Sequence, residues 1–565
     1  MTLEDGSRIY SNEFADLFIE YNGNLAVFDQ FQDATVQIID FFLAVVRVPI
    51  AQITRKSILQ YGYYAIPTLN GIASEESITA TGINRVREIP QLNLRGNGVL
   101  IGIVDTGIDY TNPIFIREDQ TSKIVALWDQ TILGENNQSN TYYGTQYTQE
   151  QINQALQSEN PFDIVPSKDE IGHGTMLAGI IAGTDVPDQG FYGIVPDSEL
   201  VVVKLKPAKP YLKEFWRIRN DAICYQDNDI IFALEYLEQT AIRLNRPMVI
   251  CITLGTSLAP HDGRTSLVKN LDIRSENLNF AILVAAGNEG NAKRHYYNVI
   301  NQALGSDLVE LNVGEEEEGF TMQVWGDSPG LFSIDITAPS GEYISRFVPI
   351  LDDTQQVNFI FERTTILIDY QLVESQSGDQ LILFRFTNPT AGIWKFNVYG
   401  RGDLPLGFHI WLPMEGFISQ NTYFLKPNPD TTLISSANGS GVITITAYDP
   451  KDNSIYLNAS RGYTRVGRIK PDVAAPGVRI VSPTLTHSFA EYTGTSAAAA
   501  HATGIAAMIL EWGVVQRNLP LINTEDIKIL MIRGARRDPQ LQYPNRIWGY
   551  GILDIYNIFD SFRRR

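Results

Sequence analysis

Cysteine is almost missing from this chain: Cys224 and Cys251 are the only two in 565 residues. That excludes a disulfide scaffold, allows one bridge at most, and fits a reducing compartment. Basic charge is also short. Lys and Arg number 44 against 64 Asp and Glu, a net charge of −20, which argues against nucleic acid or an anionic membrane as partner. The basic tail Arg563, Arg564 and Arg565 is too small to reverse that. Long apolar runs are scarce. The one stretch of membrane-spanning length, Ala497 to Val515, carries His501, Thr503 and Glu511 and reads as a buried helix. The opening residues hold Asp5, Glu13, Asp16 and Glu20 and no apolar signal-peptide core. The expectation is a chain synthesised in the cytoplasm without a signal peptide and with no membrane span.

What is present is 44% hydrophobic and 19% charged, a globular composition with three or four domains' worth of length at about 150 residues each. Residues 1–70 alternate short strand-like segments (Ala15–Tyr21, Thr35–Ile39, Leu43–Val48) with helix-like ones, an α+β unit. A linker over 71–97 follows. From Gly98 the texture changes: Val99 to Val104, Leu200–Lys204, Met248–Leu254 and Ala281–Ala285 are nearly continuous apolar runs. Such runs suit strands buried on both faces, and the helix-period stretch Asp229–Arg243 lies between them. The pattern predicts an α/β domain with a parallel sheet over 98–304, resumed over 431–565. Between these, 305–430 alternates apolar and polar residues at Phe320–Trp325, Phe332–Thr337, Val357–Glu362, Ile366–Leu372, Leu381–Phe386 and Trp394–Tyr399. This predicts an inserted antiparallel β-sandwich. The run Glu315–Glu318 reads as a solvated loop.

Four short motifs carry chemistry. Asp105 ends a buried strand in Val-Asp-Thr-Gly, at the edge where α/β folds place their sites. His173 sits between glycines in Ile-Gly-His-Gly-Thr at a helix start. Asn288 follows a buried strand in Ala-Ala-Gly-Asn-Glu-Gly. Ser496 opens a helix of small residues in Gly-Thr-Ser-Ala-Ala-Ala-Ala-His, where unpaired backbone N–H groups favour developing negative charge. Each motif alone is weak, since a strand-end Asp or Asn is commonly a turn residue and Ser496 alone could be an ordinary N-cap.

In this order the motifs resemble those of the subtilisin-type serine proteases, whose chain order is Asp, His, oxyanion-hole Asn, Ser. The resemblance runs from Gly98 to the C-terminus apart from the insertion. It implies a subtilisin-like fold preceded by a propeptide, with Asp105 orienting the base, His173 as general base, Ser496 as nucleophile and Asn288 as oxyanion donor. It also implies that Thr253, Leu254 and Gly255 line the substrate cleft, with Thr253 where the family often has serine. Gly193 to Pro196, Lys470 to Gly477 and Gly549 to Asp554 match further family stretches. Ala500 and Ala497 depart from the usual proline and methionine. His501 reads as structural, Gly255-Thr256-Ser257 lacks the alanine run, and Asp-Thr-Gly, also the aspartic-protease signature, has no second copy here, where that chemistry needs two such loops or a homodimer. His261, His295, His409 and His487 have no metal-ligand spacing. No cofactor is expected, and calcium is left open.

The stretches Gly107 to Pro113, Ile124 to Ile132 and Ala80 to Ile83 resemble the clostridial Csp proteases of spore germination. Asn288 and Ser496 lie roughly 140 residues further apart than in a compact subtilisin, which matches the jelly-roll insertion of that group. This narrower resemblance implies a serine endopeptidase that cuts and retains its own propeptide, cleaves a protein zymogen such as a spore cortex hydrolase, and is spore-associated. The alternative is a catalytically silent, subtilisin-like regulatory binding protein. The cut is expected between about Thr68 and Thr81. The insertion is expected to stiffen the fold and stand apart from the active site.

Overall fold

A computed structural model describes residues 3–72, 86–87, 92–133, 143–301, 305–347 and 353–563. Most of the expected linker, including Ala80–Ile83, and the tail residues Arg564 and Arg565 lie outside the described residues.

The centre of the molecule is an eight-stranded sheet. In chain order its strands are β1 (Leu100–Asp105), β2 (Ile124–Asp129), β3 (Thr145–Thr148), β4 (Glu199–Lys204), β5 (Met248–Ile252), β6 (Phe280–Ala285), β7 (Ile443–Tyr448) and β8 (Val473–Pro476). They lie in the order β8-β7-β6-β5-β1-β4-β2-β3, and all neighbours are parallel except the edge pair β2 and β3. Every residue of β1, β5, β6 and β7 is buried. Helices cover both faces, so these strands carry apolar residues without alternation. One face packs on α1 (His173–Ala182) and α3 (Thr495–Leu510), the other on α2 (Asp227–Leu244). All of α3 is buried, and its small side chains permit that: a Cβ on Gly504 would stand 2.3 Å from Ile194 Cγ2. Thr495–Val515 is long and apolar enough to cross a membrane, and here it forms the core of the fold.

The N-terminal unit is a three-stranded antiparallel sheet with Leu43–Pro49 between Phe14–Glu20 and Thr35–Ile38. Its tail enters a junction of all three units. Tyr63 meets Trp216 of the central domain and Trp325 of the insertion edge-on, at ring distances of 5.9 and 5.7 Å. Trp216 Nε1 donates to Pro67 O, and Gln323 Nε2 to Tyr63 Oη.

The insertion is two antiparallel sheets of six and five strands around an aromatic core that includes Phe320, Phe384, Phe386, Trp394, Phe396 and Phe408. It begins ahead of residue 305, because His295–Ile300 pairs with Leu406–Trp411 and forms an edge of the larger sheet. The expected strand Val357–Glu362 instead spans Asp353–Asn358. The Glu342 carboxylate accepts the N–H groups of Ile360 and Phe361 and draws them into an exposed turn. Glu315–Glu318 is not wholly solvated. Glu317 is buried, accepts from Ser419 N and Thr422 Oγ1, and has its pKa raised by burial. The turn that carries it folds back on the loop before Tyr423–Phe424.

Candidate active site

Asp105 is the last residue of β1, at the carboxyl edge of the sheet, and is fully buried. Its Oδ1 lies 2.8 Å from His173 Nδ1 and accepts Thr106 N at 2.8 Å, while Oδ2 accepts Thr253 Oγ1 at 3.0 Å. A buried carboxylate needs such partners, and these fix which imidazole nitrogen faces it.

His173 is the first residue of α1, preceded by Gly172 at φ +93°. Gly174 is required by contact, since a Cβ there would lie 2.1 Å from Gly107 O. Asp169, outside the four candidate positions, organises this turn. Buried Asp169 accepts Ile171 N and Gly172 N at Oδ1, and Thr175 N and Thr175 Oγ1 at Oδ2. Thr106 Oγ1 donates to Asp169 Oδ1 and accepts Gly174 N, which ties the ends of β1 and α1 together. The signal in sequence was an Asp just ahead of a helix start, the usual place for a carboxylate that satisfies first-turn N–H groups.

Ser496 is the second residue of α3 and is buried there. The preceding Thr495 donates from both N and Oγ1 to Asn288 Oδ1, each at 3.1 Å, and accepts Gly287 N at 3.0 Å. With Oδ1 engaged, the Asn288 amide presents Nδ2 as its donor beside the start of α3, where the first-turn N–H groups have no partners inside the helix. The structure therefore joins Asp105, His173 and Thr253 by hydrogen bonds and joins Asn288 to the residue preceding Ser496. His501 is buried within α3, and burial lowers its pKa to about 3. Cys224 and Cys251 are buried thiols with no disulfide between them. Among the described residues, no cluster of His, Cys, Asp and Glu could hold a metal ion.

Beside Asp105, the end of the N-terminal unit pairs as an added strand with the segment that follows Thr253. Leu69–Ile72 forms the middle of a three-stranded antiparallel sheet, with Ile72 opposite Leu254, Gly71 opposite Gly255, Asn70 opposite Tyr225 and Leu69 opposite Gln226. The insertion also reaches this added strand. Its turn Met414–Phe417 lies directly over Gly71. The sequence could not reveal this, because a loop's landing point depends on how the two domains pack.

Residues 96–309 and 420–551 match the Subtilase family. The chain belongs to that family. Among curated relatives, this subtilase is 28% identical over 195 residues to a subtilisin of Bacillus sp. (strain TA39), covering 34% of this chain and 35% of the relative. It is 22% identical over 445 residues to the subtilisin-like protease SBT3.6 of Arabidopsis thaliana, covering 73% and 56%. It thus spans between about a third and a little over half of the length of these relatives. Among solved structures, the CspB protease of Clostridium perfringens superposes with a TM-score of 0.75 at 28% identity, over 86% of this subtilase and 100% of that chain. The subtilisin-like α/β fold and the likeness to Csp proteases both rest on these matches.

Proposed function

We propose that this subtilase is a serine endopeptidase in which Ser496 attacks the scissile carbonyl and His173 takes its proton, then protonates the leaving amine. Asp105 holds the imidazole tautomer and stabilises the imidazolium. Asn288 Nδ2 and the Ser496 N–H receive the oxyanion; a donor of this kind contributes on the order of 3 kcal/mol to the transition state. The observation that carries the reading is the 2.8 Å contact of His173 Nδ1 with buried Asp105 at the sheet edge, in a chain of the Subtilase family. Under this proposal the N-terminal unit, residues 1–70 together with the end of the strand Leu69–Ile72, is a propeptide, cut by the chain itself beyond that strand, within the Thr68–Thr81 window, and retained. The first protein partner is then its own propeptide. The substrate in trans is a protein zymogen such as a spore cortex hydrolase, which the Csp likeness suggests, and the site of action is the spore. A fluorophosphonate probe tests the chemistry: labelling of wild type and none of Ser496→Ala is expected. Equal labelling of both would remove Ser496 from the mechanism.

A further inference from the structure

The strand that fills the cleft is gripped at two adjacent positions, Asn70 and Gly71. Gly71 does not need to be glycine for its backbone, since its φ is not in the left-handed region. It needs to be glycine for space. A Cβ there would stand 3.1 Å from Met414 Sδ, 3.2 Å from Phe417 Cε1 and 3.3 Å from Met414 Cε. A Cβ alone would push the flexible thioether aside by a few tenths of an ångström, whereas a branched side chain has no room.

That roof is held from two sides. Glu415 N donates to Glu289 Oε1, and the Glu289 carboxylate is itself paired with Arg294. On the other side, Arg219 N donates to Phe417 O. Met414 and Phe417 are both buried and fall within 310–419, the stretch outside the family match.

At the neighbouring position, Asn70 Nδ2 donates to Asp227 Oδ1 at 2.7 Å. Thr68 donates to Asp227 Oδ2 from Oγ1 at 2.6 Å and from N at 3.2 Å. Asp227 is buried, and the partners its carboxylate shows among the described residues are the side chains of Thr68 and Asn70 and the Thr68 N–H. Its hydrogen-bond donors come from the tail, so any strand that replaces the tail must bring donors of its own.

We infer that Asp227 and the insertion's Met414–Phe417 turn set the enzyme's specificity, selecting an extended segment with an amide side chain where Asn70 lies and glycine where Gly71 lies. This rests on the proposed function, with the propeptide strand as first substrate. The insertion is then part of the substrate site, and its role in specificity is separate from any gain in stability.

The test follows self-cleavage of freshly translated full-length chain on a gel. Gly71→Val is expected to slow the cut at least tenfold, and Met414→Ala with Phe417→Ala in that background is expected to restore it to within about threefold of wild type. Asn70→Asp, which sets carboxylate against carboxylate, is expected to slow it similarly, with recovery on adding Asp227→Asn. A wild-type rate for Gly71→Val, or no recovery with the opened roof, overturns the inference. A second arm needs no catalysis. In the Ser496→Ala chain, the fall in melting temperature caused by Gly71→Val is compared on the native roof and on a Phe417→Leu roof. A large fall on the first and a small one on the second are expected, and equal falls overturn the inference. A wild type that neither cuts itself nor labels with the probe sinks the proposed function, and this second arm still decides the steric contact.

Discussion

Thr253 Oγ1 donates to the buried Oδ2 of Asp105 at 3.0 Å, one residue before Leu254 pairs with Ile72 in the cleft. The strand that holds the peptide thus also holds the acid of the candidate triad. Thr253→Val removes one of the few bonds to a buried carboxylate, worth about 1.5 kcal/mol. We expect kcat/KM to fall about tenfold, with the fold unchanged by circular dichroism. Asp105→Asn, which presents His173 with the wrong tautomer, is expected to lower kcat by about 10⁴.

The N-terminal unit is joined to the central domain by a buried ion pair. Asp16 Oδ2 lies 2.9 Å from Lys209 Nζ, and Arg47 Nε lies 3.0 Å from Asp16 Oδ1. Burial alone would raise the Asp16 pKa, but Lys209 and Arg47 outweigh it and hold the carboxyl at about 2. Asp16→Asn leaves Lys209 without a charge partner in an interior position. A loss of about 3–5 kcal/mol is expected, read as a lower denaturation midpoint together with release of the N-terminal fragment.

Three histidines set apart in the sequence meet in one stack where the insertion joins the central domain. His261 lies on Trp411 at 4.1 Å, His295 on Trp411 at 4.8 Å, and His295 Nε2 is 2.9 Å from His409 Nδ1. Burial pushes His261 to about 4 and His295 to about 3, and burial together with the neighbouring histidines lowers His409. These groups stay neutral in the folded chain and take protons in the unfolded chain below about pH 6.5. Their contribution to stability is therefore complete above 6.5 and lost as pH falls toward 4, at up to about 1.4 kcal/mol per pH unit for each. Melting temperature is expected to be flat from pH 8 to 7 and to drop steeply from 6.5 to 5, above the range where ordinary carboxylates titrate. His409→Phe should make that drop shallower.

Most of the central sheet was legible in the sequence because burial on both faces leaves a run of apolar residues that little else explains. The strands Leu100–Asp105, Glu199–Lys204 and Phe280–Ala285 fall within a residue or so of their expected bounds. The sandwich was legible less evenly. Leu406–Trp411 escaped because every one of its residues is buried, which removes the alternation, and His295–Ile300 escaped because its buried and exposed residues fall in blocks, with Tyr297, Asn298 and Val299 exposed together. At the site, Asp105, His173, Asn288 and Ser496 stood out through their flanking glycines and alanines. Asp169, Asp227 and Met414 did not, because their roles depend on which distant segment meets them, and that is decided by domain packing.

Under the proposed function Ser496 cuts its own chain beyond the strand Leu69–Ile72. Intact mass of the purified full-length protein beside Ser496→Ala tests it most directly. Two co-purifying fragments are expected for wild type, with the break beyond the Leu69–Ile72 strand and within the Thr68–Thr81 window, and one uncut chain for the variant. A wild type that remains a single chain and does not react with a fluorophosphonate, or a Ser496→Ala variant cut at the same bond, would contradict it.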